Sequence, residues 1–279
     1  MKYIPYFKIN DLEGRFVLIE GLNGSGKTTQ AKLIEEGLAQ SGLVARFNHE
    51  PTNSFIGKII RQIIEKKKLD FSEREIADFL ERILKNDDPS FQAAKTSIKQ
   101  FLNGNIRHEE TKRQFLFILD RLFDIKENIK PTLRRGGWVI QDRYDISCYL
   151  YGMANDLKFS NLARRHQMVL KENYLGPNLV FFYWVPVAVS LKRLINSGKA
   201  IDIYENARTL KKIEKAARWL FSFHFKTPHP KHPLIRKLKI KDKKMKVIII
   251  NAESSIEEVF EQTWRYLEEE IKKYKKMHS

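Results

Sequence analysis

One octapeptide limits the possible folds more than any other stretch of this 279-residue chain: Gly21-Leu22-Asn23-Gly24-Ser25-Gly26-Lys27-Thr28, set between an apolar run and a helical pattern. It fits G-x-x-x-x-G-K-[ST], and its context is the one that pattern requires. The run before it, Arg15–Glu20, is compact and β-prone. The helical pattern opens at Lys27 and continues through Leu33, Ile34 and Leu38, and Gly42 ends the turn after it. Glycines allow the backbone to curl so that successive N–H groups point inward at phosphate oxygens, where a Cβ would obstruct. The helix that follows adds its positive N-terminal end. Lys27 is long enough to reach β- and γ-phosphates, and the Thr28 hydroxyl can ligate Mg²⁺. Gly21, Asn23, Gly24, Ser25, Gly26, Lys27, Thr28 and Thr29 are therefore expected to hold a nucleoside triphosphate.

Four more apolar runs rich in Val, Ile and Phe follow: Leu43–His49, Gly137–Gln141, Leu179–Val185 and Lys246–Asn251. Continuous apolar runs suit parallel strands covered on both faces, and their alternation with longer helical patterns predicts βαβ units. The fold class expected is α/β: a three-layer doubly wound P-loop fold with a five-stranded parallel sheet flanked by helices, as one domain over residues 1–279. Two stretches exceed that minimum. Residues 66–111 are rich in charge and read as a helical insertion. Residues 226–244 read as a basic insertion, in which Pro228, Pro230 and Pro233 forbid a continuous helix. His224, His229 and His232 lie nearby without cysteines or a helical His-x-x-x-His spacing, so no metal site is expected there.

No apolar run is long enough to span a bilayer, and the first residues lack the apolar segment of a secretory signal. The lone cysteine, Cys148, excludes an intramolecular disulfide framework and fits a reducing, cytoplasmic location. The net charge of +17 is concentrated: Arg208 to Lys246 carries fourteen Lys and Arg against two acids, Glu214 and Asp242. A nucleic-acid surface is one reading. A solvated basic face beside a site for polyanionic nucleotides is the one favoured, because no nucleic-acid-binding motif accompanies the charge.

A P-loop alone does not separate a kinase from an ATPase or a GTPase. The discriminating residues come at the end of the third run, Asp142-Arg143-Tyr144, where strand C-termini line the crevice of an open parallel sheet. An acid there can hold Mg²⁺ or its waters, so Asp142 joins Thr28 as a metal candidate. An arginine there can clamp a transferring phosphate.

With these residues in view, the chain resembles the thymidylate kinase family from Phe16 to about Tyr266. Glu20 to Gln30 is close to the family's first motif, and Glu50-Pro51-Thr52 stands where its Glu-Pro element follows the second strand. Leu116-Phe117-Ile118-Leu119-Asp120-Arg121 looks like its Leu-Phe-x-x-Asp-Arg helix. Asp142-Arg143-Tyr144-Asp145-Ile146-Ser147, continuing to Tyr151, looks like its Asp-Arg-Tyr-x-x-Ser-x-x-x-Tyr motif. The resemblance implies that Phe117 stacks on a pyrimidine and that Arg121, one turn later on the same helix face, bonds the base edge. It implies that Arg143 holds the acceptor phosphate, Tyr151 crowds the sugar 2′ position, Asn23 reaches the 3′-hydroxyl, and Glu50 helps organise the magnesium and phosphate region. Ser147 and Cys148 complete the implied substrate set. Cys148 stands where a polar residue often contacts the base, Asn23 stands for a usual Asp, Gly152 for a Gln and Asn178 for an Asp. The P-loop has no arginine, so a lid at about 193–206 is the implied source of a catalytic cation, Arg193 or Lys199, with Gly198 as a hinge.

The reaction so implied is transfer of the γ-phosphoryl of ATP, with Mg²⁺, to the 5′-phosphate of a pyrimidine deoxynucleotide, dTMP foremost. The family also implies a homodimer. A deoxynucleoside kinase using Glu50 to activate a free hydroxyl is the nearest alternative, and a nucleic-acid-binding P-loop protein is the second.

Overall fold

The structure is a computed structural model that describes residues 8–65, 72–84, 92, 95–96, 110–198, 202–222, 233–240 and 243–278. Its strands are β1 (Lys8–Ile9), β2 (Arg15–Gly21), β3 (Ala45–His49), β4 (Trp138–Asp142), β5 (Leu175–Gly176), β6 (Leu179–Trp184), β7 (Leu234–Ile240) and β8 (Lys243–Asn251). The main sheet has the order β3-β4-β2-β6-β8-β7, while β1 and β5 form a small parallel pair. β2, carrying the P-loop, lies between β4 and β6 in parallel register, with Val17 beside both Ile140 and Leu179. Every residue of β2, β4 and β6 is buried, which is why these strands read as unbroken apolar runs.

The expected five parallel strands are present, and the strand count needs one correction. β7 is a sixth strand, antiparallel to β8 from Leu234 opposite Ile249 to Ile240 opposite Lys243. It falls within 226–244, the stretch that the sequence marks as a basic, proline-containing insertion. An edge strand needs only partial cover and tolerates lysines, so Leu234–Ile240 lacks the apolar run by which the buried strands were recognised.

Helices cover both faces. They are α1 (Lys27–Gln40), α2 (Phe55–Ile64), α3 (Glu73–Ile83), α4 (Glu110–Asp124), α5 (Lys130–Arg134), α6 (Asp145–Ala154), α7 (Phe159–Leu170), α8 (Val187–Asn196), α9 (Ala207–Phe221) and α10 (Ile256–His278). α1 buries Ala31, Ile34 and Leu38 along one stripe. Within 66–111, the described part includes α3, started by a capping box in which Ser72 accepts from the Glu75 N–H and the Glu75 carboxylate accepts from the Ser72 N–H. α3 buries Ile76, Phe79, Leu80 and Ile83, and Phe79 meets Phe55 and Phe123 at ring-centroid distances of 5.8 and 5.9 Å. This helix is thus packed against α2 and α4, and its charges face outward.

The basic stretch divides in a similar way. α9 buries Leu210, Ile213, Ala217 and Leu220, while Lys212 reaches Asp156 at 3.1 Å and Arg218 reaches Glu214 at 3.0 Å. His224, His229 and His232 lie outside the described residues. Among the described residues, no helix is long and apolar enough to cross a membrane.

Candidate active site

β2 delivers the chain to the loop at Gly21, where φ is 150° and a Cβ would stand 2.4 Å from the Tyr183 carbonyl oxygen. Gly26, at φ 87°, begins α1 with no side-chain cap, so the first N–H groups of the helix remain directed at the loop. Lys27 is buried and its ammonium donates to the Leu22 carbonyl at 2.7 Å. Burial, reinforced by the nearby Arg143 guanidinium, brings its pKa down to about 7.

The Thr28 hydroxyl donates to Asp142 Oδ2 at 2.6 Å. The other carboxylate oxygen, Asp142 Oδ1, is buried with no hydrogen-bond partner among the described residues, and so is Ser25 Oγ. A hydroxyl and a carboxylate with an oxygen to spare fit Mg²⁺, which takes hard oxygens and fills its remaining positions with water and phosphate.

A polyanion in this loop would restore the ordinary preference of Lys27 for its proton. The sign follows: with a free-state pKa near 7 and a raised bound-state pKa, binding takes up protons at pH values between the two. ATP binding at about pH 8 should therefore take up about one proton. Calorimetry in two buffers of different ionisation enthalpy measures this, and Lys27→Met should abolish the uptake.

Arg143, immediately after β4, has φ 70°, a left-handed conformation that a non-glycine residue rarely adopts. Its N–H donates to the Ile19 carbonyl at 3.0 Å, which fixes the strained residue against β2. The guanidinium donates to Ser147 Oγ at 3.0 Å and to Asn23 Oδ1. Tyr151 lies beneath it, 5.3 Å from ring centroid to guanidinium carbon, and donates its hydroxyl to the same Asn23 oxygen at 2.7 Å. Glu20, fully buried, accepts from the Tyr144 N–H at 2.9 Å, the Ser147 N–H at 3.0 Å and the Ser147 hydroxyl at 2.7 Å. The residue before the P-loop thereby sets the N-terminus of α6 and the hydroxyl that orients Arg143.

Beside the loop opens a cavity that is partly open to solvent. Its lining includes all seven residues singled out for the acceptor: Asn23, Phe117, Arg121, Arg143, Ser147, Cys148 and Tyr151. Asn23 and Arg143 belong both to this cavity and to the P-loop surroundings, so the two compartments meet there.

Arg121 lies deep in the wall. Its Nε donates to Glu50 Oε1 at 2.9 Å, its Nη2 donates to Glu50 Oε2, and its Nη1 meets His166 Nε2 at 2.7 Å. The Tyr144 ring covers its face at 4.8 Å. His166 Nδ1 lies 2.8 Å from the Leu162 carbonyl, which accepts, so Nε2 is the unprotonated nitrogen that receives Arg121. Burial and the neighbouring Arg121 hold that imidazole well below its usual pKa. Glu50 is thus the partner of Arg121 in the cavity wall. The loop that carries it is tied down by Asp120, which accepts from the Thr52 N–H at 2.7 Å and from the Thr52 and Ser54 hydroxyls at 2.6 Å each.

In the segment expected to act as a lid, Arg193 donates to the carbonyls of Ala252 at 2.9 Å, Glu253 at 3.4 Å and Gly24 at 3.5 Å. Its guanidinium is held on backbone oxygens. Lys199 lies outside the described residues. From the described part of this segment, Asp202 and Tyr204 line the crevice, and Asn23 Nδ2 donates to Glu205 at 2.8 Å and lies 3.5 Å from Asp202. Burial and then Glu205 push the Asp202 carboxyl up to about 6. Glu20, Gln114, His166, Asp202 and Tyr204 are site residues that the sequence reading missed. Only Glu20 carried a signal, its place directly before the glycine loop.

The family model described as Thymidylate kinase matches residues 19–85 and 74–228. A probable thymidylate kinase of Pyrococcus horikoshii is 30% identical over 183 residues, 66% of this chain and 71% of that protein. A thymidylate kinase of Leptospira borgpetersenii serovar Hardjo-bovis is 28% identical over 72% of this chain and 78% of its own. A probable thymidylate kinase of Thermococcus onnurineus is 26% identical over 92% of this chain and 99% of its own. The solved structure of thymidylate kinase from Candida albicans superposes with a TM-score of 0.56 over 94% of each chain, at 19% identity, a likeness of fold.

Proposed function

The chain belongs to the thymidylate kinase family, and on that premise we propose how its crevice performs the family reaction, ATP-dependent phosphorylation of dTMP to dTDP. The observation that carries the reading is one cavity lined by the seven acceptor residues and joined to the P-loop through Asn23 and Arg143.

ATP occupies the loop with its phosphates on the backbone N–H groups of Gly24 to Thr28, and Lys27 turns from the Leu22 carbonyl to the β- and γ-phosphates. Thr28 and Asp142 would hold Mg²⁺, which would neutralise charge on the donor phosphates. The acceptor base rests on Phe117, its edge towards Arg121, and Arg143 clamps the acceptor phosphate from the cavity side. Attacking oxygen, phosphorus and leaving oxygen then lie in line, so catalysis is chiefly positioning and charge neutralisation. The acceptor phosphate is ionised at neutral pH and needs no strong general base. Tyr151, held by its bond to Asn23, fills the space a ribose 2′-hydroxyl would require. Arg193 acts on the loop indirectly, by holding the Gly24 carbonyl.

ADP release measured with ATP and Mg²⁺ across the common nucleoside monophosphates and thymidine tests the reading. dTMP should give the highest rate. Turnover of thymidine with none of dTMP would replace it with a deoxynucleoside kinase. Arg143→Ala should raise the KM for dTMP by about 100-fold while the KM for ATP moves little, since a charged hydrogen-bonding group is lost from one pocket. Unchanged kinetics in that variant would remove Arg143 from the acceptor site.

A further inference from the structure

We infer that Gln114 reads the acceptor base, and that it selects an imide edge, the N3–H of thymine or uracil, against the bare N3 of cytosine. The inference rests on the assignment of the cavity to the acceptor nucleotide. Gln114, Phe117 and Arg121 fall at i, i+3 and i+7 on α4 and therefore share one face. All three line the cavity, and Gln114 is 1% exposed.

The amide has only one orientation open to it. Gln114 Nε2 donates to Glu110 Oε1. Glu110 is fixed in turn: Arg113 donates to its Oε2 from Nη2 at 2.6 Å and from Nε at 3.0 Å, and the Tyr204 hydroxyl lies 3.1 Å from both carboxylate oxygens. A carboxylate accepts and does not donate, so it holds the NH₂ end of the amide and turns the oxygen away. That oxygen, Gln114 Oε1, is buried with no hydrogen-bond partner among the described residues. A buried carbonyl oxygen without a donor is destabilising, and a ligand N–H would relieve that cost.

The base edge complementary to this arrangement has an N–H to meet Oε1 and a carbonyl to meet the Arg121 guanidinium. Thymine and uracil present that pattern, a ring N–H flanked by carbonyls. Cytosine would set the lone pair of its N3 against the lone pairs of Oε1. Cys148 cannot supply the contact, since its thiol faces the Gln114 backbone carbonyl at 4.0 Å and burial pushes its pKa up to about 12. The reading amide therefore comes from α4, and Tyr204, from the lid segment, is part of what holds it in place.

The test compares kcat/KM for dTMP, dUMP, dCMP and a dUMP analogue whose ring nitrogen N3 is replaced by C–H. In the unaltered protein, the analogue should be poorer than dUMP by roughly 10–100-fold, the worth of one buried hydrogen bond. Gln114→Met should lower kcat/KM for dTMP and dUMP by a similar factor, leave the analogue within about twofold, and bring the dTMP to dCMP ratio towards one. Glu110→Gln, which frees the amide to flip, should narrow the same ratio. The unaltered protein accepting the analogue as readily as dUMP would overturn the inference. So would a Gln114→Met loss shared equally by all four acceptors. No turnover of any monophosphate by the unaltered protein would instead remove the kinase reading beneath it.

Discussion

Lys27→Ala should reduce phosphoryl transfer to dTMP by about 10³-fold or more, measured as kcat in a coupled ADP assay, with the folded protein retained. The size of the effect follows from where the ammonium sits. It is buried at the base of the loop, within reach of the donor phosphates, and no arginine elsewhere in the loop could replace its charge. Arg193, the cation expected from residues 193–206, is engaged with the carbonyls of Gly24, Ala252 and Glu253. Stability should change little or rise. Lys27 is a desolvated cation whose pKa is lowered in the fold, so removing it relieves a cost of folding. A Lys27→Ala protein that melts normally and retains a tenth of the original rate would show that the loop does not bind the transferring phosphate as proposed.

Glu50→Ala should lower thermal stability by about 3–5 kcal/mol, because it leaves the Arg121 charge buried without its partner. For a chain of this size that corresponds to a melting temperature lower by roughly 5–9 °C. The side chains of Glu50 and Arg121 are 2% and 1% exposed, and two parallel hydrogen bonds join them. Burial drives the Glu50 carboxyl towards protonation, and Arg121 opposes that drive. Replacing both, Glu50→Leu with Arg121→Met, should recover much of the stability, since a buried pair is often no better than apolar residues of similar volume. The dTMP KM of the double variant should remain high. A melting curve unchanged by Glu50→Ala would mean that water reaches the pair and that the closed wall described above is open in solution.

These two results bear on different kinds of information. The Lys27 result follows from eight consecutive residues. Glycines at fixed offsets after a strand and before a helix dictate a local backbone path, and that path makes an anion site wherever it occurs. The buried strands were legible for a similar reason: cover on both faces demands continuous apolar side chains, and that demand is written in consecutive positions. β7 was not legible, because an edge strand answers to neither demand.

The acceptor residues were visible as spaced motifs, and all of them line one cavity. Their partners were not visible. Glu50 meets Arg121 from 71 positions away, and His166 reaches Arg121 across 45. Glu20 orients Arg143 through Ser147, 127 positions later. Gln114 looks like any residue on a helix until Glu110 is seen to hold its amide nitrogen, leaving its buried oxygen without a hydrogen-bond partner among the described residues. By itself the sequence determined the glycine loop and the parallel core, since apolar patterning and glycine stereochemistry act over a few neighbouring residues. Only the tertiary structure decided which buried charges pair and which polar atoms are left for a ligand, since desolvated groups are satisfied by whatever the fold brings within about 3 Å, at any distance along the chain.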